Sequence, residues 1–211
     1  MQNKAWTNIR GQSSISSLLC KPTVECKPTV KEDDMRPVIV GCLSLALLTA
    51  AKAQSPVDLK VGDMAPAFKL QASDGKTYSL ADFKGKRAVV LAWFPKAFTQ
   101  GCTIECKSLA ENGPAIRKYD ITYFMISVDP LEQNVAFAKA QEADFPLLSD
   151  ATKEVTTAYG VLNDRGLANR WTYYIGKDGR ITAIDKAIKP ATSAEDMVAK
   201  LKELRIPSAT N

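Results

Sequence analysis

The sequence predicts an α/β domain with a central mixed sheet flanked by helices and an added N-terminal hairpin. Three features carry that expectation. Two apolar runs, Ala88-Val89-Val90-Leu91-Ala92-Trp93 and Ile121-Thr122-Tyr123-Phe124-Met125-Ile126-Ser127, have the length and character of buried strands. A helical pattern lies between them. Further on, the turn Lys177-Asp178-Gly179 stands between two short strand patterns, which read as a hairpin leading to an amphipathic closing helix.

Taken in order, residues 62–70 and 73–80 form a hairpin around the turn signal Asp74-Gly75. Residues 87–94 are a buried strand, and 102–119 a helix interrupted near Gly113-Pro114. Residues 120–128 are the second apolar strand. Residues 130–142 are helical, with Val135, Phe137 and Ala138 offering an apolar face. Residues 145–150 make a short edge-type strand, followed by a helix over 153–159. Strands at 170–175 and 180–184 and a helix over 193–204 complete the domain. The order β-α-β-α-β-β-α is thioredoxin-like, with the extra hairpin in front and an inserted segment near 130–160.

Composition is that of a globular protein, 45% hydrophobic and 24% charged. The first third of the chain stands apart. A basic start at Met35-Arg36, a short apolar stretch from Val38 to Ala50 and the site Ala51-Lys52-Ala53 make residues 35–53 a secretory signal peptide, cut after Ala53. The apolar stretch falls short of the roughly 20 residues a spanning helix needs, so stable membrane insertion after cleavage is not expected. Export to a periplasmic or extracellular compartment is. Residues 1–34 carry a tandem repeat, Cys20-Lys21-Pro22-Thr23-Val24 and Cys26-Lys27-Pro28-Thr29-Val30. They read as a start codon placed too early, with Met35 the true first residue, or as a bipartite targeting sequence or disordered extension. Residues 54–211 then form the folded domain.

The chain carries 28 Lys and Arg against 23 Asp and Glu, a net +5, but seven of those basic and four of those acidic residues lie in 1–53, so the remainder carries only +2. No dense basic patch interleaved with aromatics remains, which argues against a nucleic-acid partner. Of five Cys, only Cys102 and Cys106 lie beyond residue 53. Two thiols four residues apart do not staple a scaffold; they form a local, reactive pair.

Cys102 sits in Phe94-Pro95-Lys96-Ala97-Phe98-Thr99-Gln100-Gly101-Cys102, directly after a buried strand and in the first turn of a helix. A thiol attacks as its thiolate. The free N–H groups and positive end of a helix favour that anion, and a nearby Arg adds to the effect. Thr99 can aim its hydroxyl at the thiolate or at a substrate oxygen, and the ring of Pro95 can shield the sulfur without competing for hydrogen bonds. A Cys at such a turn also packs as a small apolar side chain; Pro95, Thr99 and Cys102 in one register favour the reactive reading.

The spacing Pro-x-x-x-Thr-x-x-Cys at Pro95, Thr99 and Cys102 resembles the active-site signature of the peroxiredoxins, thioredoxin-fold thiol peroxidases. The later segment Arg170-Trp171-Thr172-Tyr173-Tyr174-Ile175 with Asp178-Gly179 is similar to the Q-type, bacterioferritin-comigratory-protein branch. The resemblance implies that Cys102 reduces hydrogen peroxide or organic hydroperoxides and becomes a sulfenic acid. It places the family's essential Arg at Arg170, whose fork of donors suits both a thiolate and a peroxide oxygen. It also puts a Glu at Glu105, which either orients Arg170 or complements the helix dipole, the second being the plainer expectation. In that branch a second thiol commonly lies five residues after the first, whereas Cys106 lies four after Cys102. Residues i and i+4 of an intact helix have Cβ atoms about 5–6 Å apart, and a disulfide needs roughly 3.5–4.5 Å. Cys106 as resolving thiol therefore requires the first turn to unwind, as family members of this kind do; otherwise it is a structural Cys and an external thiol resolves the sulfenic acid. The implied partners are a small peroxide and a thioredoxin-like dithiol reductant, with a monomer or weak dimer as the working form and no metal, flavin or haem.

Two other classes place thiols on such a fold. Copper-delivering thioredoxin-like proteins use Cys-x-x-x-Cys plus a downstream His, and this chain has no His. Thiol-disulfide oxidoreductases use Cys-x-x-Cys, a shorter spacing than that of Cys102 and Cys106. The lack of His also excludes imidazole activation of the thiol.

Overall fold

The computed structural model describes residues 57–209. The expected extension 1–34 and signal peptide 35–53 lie outside the described residues. At the centre is a seven-stranded mixed sheet of order β2-β1-β5-β4-β3-β6-β7. Its strands are β1 (Lys69–Ala72), β2 (Thr77–Ser79), β3 (Ala88–Trp93), β4 (Ile121–Ser127), β5 (Leu147–Ser149), β6 (Thr172–Ile175) and β7 (Ile181–Asp185). The helices are α1 (Gln100–Glu111), α2 (Gly113–Ile116), α3 (Leu131–Ala140), α4 (Glu154–Ala158) and α5 (Ser193–Glu203).

β3 is the axis of the domain. All six of its residues are buried, and because side chains alternate across a strand they feed two cores. Val90 and Ala92 pack with Leu109 of α1, Ile116 of α2, Phe137 of α3 and Met197 and Leu201 of α5. Val89, Leu91 and Trp93 face Phe68, Tyr159, Val161 and Tyr173 on the opposite side. β3 runs parallel to β4 and antiparallel to β6, so a continuous apolar run with no polar face was the correct signature of a strand covered on both sides. Leu109, fully buried, anchors α1 to the sheet; its truncation to Ala would cost about 2–5 kcal/mol.

The expected order of elements is present, with four departures. Residues 145–150 do not form an edge: β5 lies inside the sheet, parallel to β4 on one side and antiparallel to β1 on the other. A three-residue strand beside Pro146 looks like an edge from its local sequence. The N-terminal hairpin covers its free side through Gln71↔Ser149 and Ala72↔Leu148.

The hairpin is shorter than 62–70 implied. Its first residues instead dock on the β6–β7 turn, with Gly62 N–H donating to Ile181 O at 2.8 Å and Ala65 N–H to Gly179 O at 2.9 Å. The helix expected over 102–119 starts earlier, at Gln100, and ends earlier, at Ile116; its interruption falls at Asn112, beside the expected Gly113-Pro114, with Pro114 in the first turn of α2 at a position that needs no donor.

On α3, Val135 is 41% exposed, and the buried face is Asn134, Phe137 and Ala138, the i, i+3, i+4 set. Asn134 holds that place because its amide bridges strands: it donates to Leu148 O at 3.1 Å and accepts from Ser127 Oγ at 3.1 Å. Among the described residues no helix is long and apolar enough to cross a membrane.

Candidate active site

The parallel pairing of β3 with β4 continues one step past the strand, where Phe94 N–H donates to Ile126 O at 3.0 Å. The chain then turns sharply and enters α1. Phe98 takes a left-handed conformation, φ 63°, and Thr99 is the N-cap residue with extended backbone, φ −84° and ψ 152°. Cys102 falls in the first helical turn, as expected.

Across from it, Trp93 N–H donates to Trp171 O at 2.8 Å, which joins the end of β3 to the entry of β6. That join brings Arg170 over the start of α1. Arg170 Nη2 donates to Cys102 Sγ at 3.2 Å, and Nη1 is paired with the Glu105 carboxylate. Cys102 is fully buried, and the Glu105 side chain is 1% exposed against 18% for Arg170. Glu105 is therefore not an exposed acid complementing the helix dipole. It is the buried counter-ion that orients Arg170, the less favoured of its two expected roles, and its burial explains the difference: a carboxylate taken out of water needs a partner. Burial pushes the Glu105 carboxyl up to about 7, with the Arg170 charge and hydrogen bond pulling the other way.

Of the two targets expected for the Thr99 hydroxyl, a substrate oxygen or the thiolate, the thiolate is not the one it meets here. The hydroxyl donates to Lys96 O at 2.9 Å and makes no helix-capping bond, so its proton is not aimed at Cys102. The exposed oxygen keeps lone pairs that can accept from a bound hydroxyl. Pro95 is half-buried at the start of the same loop.

Cys106 lies one turn along α1 from Cys102, on the same core-facing side, fully buried; both thiols are free. Burial, then the negative charges of Glu105 and Cys102, push the Cys106 thiol up to about 12. In the intact helix it is a protonated thiol and a poor nucleophile.

Two residues that sequence reasoning did not single out help build the site. Gly101 leaves room for the guanidinium: a Cβ there would stand 3.2 Å from Arg170 Nη2 and 3.8 Å from Pro190 Cγ. A Gly in the first turn of a helix was the available signal, since Gly weakens helices unless something needs the space. Ser108, on the same side of α1, donates to Ala191 O at 3.3 Å and accepts from Ala194 N–H at 3.4 Å, tying α1 to the start of α5. Among the described residues no group of three or more Cys, Asp or Glu side chains is arranged to hold a metal ion.

The chain carrying this site has relatives among known proteins. The AhpC/TSA family model matches residues 61–184, which include Pro95, Thr99, Cys102, Glu105, Cys106 and Arg170. Peroxiredoxin Bcp of Escherichia coli strain K12 is 32% identical over 152 residues, covering 69% of this chain and 97% of that protein. A putative peroxiredoxin of Mycobacterium tuberculosis strain H37Rv is 35% identical over 151 residues, covering 68% and 93%. Among solved structures, peroxidoxin BcpB from Mycobacterium tuberculosis superposes with a TM-score of 0.63 at 28% identity, over 69% of this chain and 98% of that one. A variant of PrxQ from Xylella fastidiosa gives 0.65 at 24% identity, over 70% and 98%, a likeness of fold.

Proposed function

The chain belongs to the AhpC/TSA family of peroxiredoxins and is a thiol-dependent peroxidase, and on that premise we propose that Cys102 is its peroxide-reacting thiol and Cys106 its resolving thiol. The observation that carries this reading is the contact of Arg170 with Cys102 Sγ at the start of α1. A cation and a helix end both stabilise the thiolate.

The Cys102 thiolate attacks one oxygen of the hydroperoxide. The S–O bond forms as the O–O bond breaks, and the departing alkoxide or hydroxide takes a proton to leave as alcohol or water. Arg170 supplies the donors nearest to the charge that develops on the departing oxygen. Pro95 and the Thr99 oxygen, on the loop beside the helix end, bound the peroxide's position.

The sulfenic acid is then attacked by Cys106. The S–S bond forms, the S–O bond breaks, and hydroxide departs as water with the Cys106 proton. The i,i+4 spacing and the elevated Cys106 thiol both require α1 to unwind first. A thioredoxin-like dithiol then reduces the disulfide by exchange. The leader-like pattern of residues 35–53 supports an exported enzyme, released by cleavage after Ala53; its proposed working form is a monomer or weak dimer acting on small hydroperoxides.

Peptide mapping by mass spectrometry tests the cycle. The reduced full chain is treated with one equivalent of hydrogen peroxide, in wild type and in Cys106→Ser. A Cys102–Cys106 disulfide in wild type and a trapped Cys102 sulfenic acid in the variant are the expected products. A sulfenic acid that persists in wild type would reject Cys106 as the resolving thiol.

A further inference from the structure

Asp129 is a buried acid that the peroxidase cycle leaves unused. It follows β4, is only 5% exposed, and turns its carboxylate toward the loop that leads into α1. Asp129 Oδ2 accepts from the N–H of Ala97 at 2.8 Å, and Ala97 is itself 3% exposed. Among the described residues this is the hydrogen bond that ties the loop of residues 95–98 to another element; the Thr99 hydroxyl bonds back to Lys96, and the Thr99 carbonyl accepts from Thr103 N–H in α1. The tie matters because the next residue, Phe98, holds φ at 63°, a conformation that a bulky side chain adopts only when its surroundings impose it.

Asp129 is in turn held from behind. Its own N–H donates to Ser127 Oγ at 3.2 Å, Ser127 Oγ donates to Asn134 Oδ1 at 3.1 Å, and Asn134 Nδ2 donates to Leu148 O at 3.1 Å. Ser149 Oγ donates to the Asp129 carbonyl at 2.6 Å. Ser127 and Asn134 are fully buried. A satisfied polar network in a low-dielectric interior is stiff, and this one runs from β5 through α3 and β4 to the loop.

We propose that Asp129 is a positioning residue for peroxide reduction: by gripping Ala97 it sets the path of residues 95–99, and so where Pro95 and Thr99 stand relative to Cys102. The proposal rests on Cys102 being the peroxide-reacting thiol. It assigns Asp129 no part in making the thiolate, which belongs to α1 and Arg170. Losing the grip should slow the reaction with peroxide, which needs the loop, and spare the reaction with an alkylating agent, which needs only the thiolate.

The test compares two rates at Cys102 in the reduced full chain, oxidation by hydrogen peroxide and alkylation by iodoacetamide, each followed by quenching and mass mapping. Asp129→Ala should lower the peroxide rate by about 10-fold or more and leave the alkylation rate within about 3-fold of wild type, because small displacements near reacting atoms have large kinetic effects. Asp129→Asn, whose amide oxygen can accept the same bond, should restore the peroxide rate to within about 3-fold of wild type. If Asp129→Ala does not fold by circular dichroism, Asp129→Ser takes its place beside Asp129→Asn. A peroxide rate unchanged without the carboxylate, a change of both rates by the same factor, or failure of Asn to restore the rate would each overturn the proposal. A wild-type Cys102 no faster with peroxide than an ordinary thiol would instead reject the reading of Cys102.

Discussion

The guanidinium of Arg170 donates to Cys102 Sγ at 3.2 Å while its other terminal nitrogen is paired with Glu105, so a side chain 65 residues downstream of Glu105 links the thiol to that buried carboxylate. Neither partner is well placed without it. Removing the cation leaves a carboxyl in an apolar core and a sulfur without its donor.

Arg170→Met should therefore lower the second-order rate of peroxide reduction by about 100-fold or more, the scale seen when a transition-state donor is removed. It should also lower stability by about 3–5 kcal/mol, because a buried pair loses one member. Stopped-flow kinetics and urea denaturation check the two effects separately. Arg170→Lys should recover part of the stability and less of the rate, since a point charge cannot reproduce the fork.

Glu105 gives stability a pH dependence. Its folded-state carboxyl is raised to about 7 from an ordinary 4.5, so between those values the folded protein binds more protons than the unfolded chain. Its contribution is present in full below 4.5 and is lost as pH rises toward 7. The stability of wild type relative to Glu105→Gln should fall over that window and level off above it, as measured by urea midpoints at a series of pH values.

Gly101→Ala separates activity from stability. The added methyl would press on Arg170 Nη2, which Glu105 pins from the other side. Alanine is nonetheless the better helix former by up to about 1 kcal/mol. The expected outcome is a peroxide rate reduced about 10-fold with an unchanged or slightly raised thermal midpoint, read by the same stopped-flow assay and by calorimetry.

Much of this site could be read from the chain because its parts are consecutive. The buried run of β3, then Pro95, Thr99 and Cys102 at fixed steps, form one uninterrupted strand, loop and helix start. Local periodicity located the strand and the helix, and the resemblance to the peroxiredoxin signature picked out Pro95, Thr99 and Cys102 between them. Arg170 is legible through its resemblance to a family pattern, but its bond to Glu105 is there only as the less favoured of two alternatives, because nothing local distinguishes a buried helical Glu from an exposed one. The same holds for Asp129, an acid before a Pro that looks like an ordinary helix start until β4 and the loop meet. β5 and Val135 depart from expectation for a related reason. Short strands and isolated apolar residues take their environment from long-range pairing, here with β1 and with the Ser127–Asn134 bond, and not from their neighbours in sequence.

Ser108→Ala should ease the unwinding that the Cys102–Cys106 bond needs. Its two long hydrogen bonds to the start of α5 are worth together about 0.5–1.5 kcal/mol. Disulfide formation after the sulfenic acid should quicken several-fold, and the fraction of Cys102 driven on to sulfinic acid at high peroxide should drop. Quenched-flow mass mapping reads both products.

The role of Cys102 is tested most sharply by the rate at which it reacts with peroxide, measured by stopped-flow on the reduced full chain beside Cys102→Ser. A peroxide-reacting Cys102 gives a fast phase, orders of magnitude above that of an ordinary free thiol, which vanishes in Cys102→Ser and persists in Cys106→Ser. A wild-type rate no greater than that of a free thiol, or a fast phase that survives in Cys102→Ser, would refute that role.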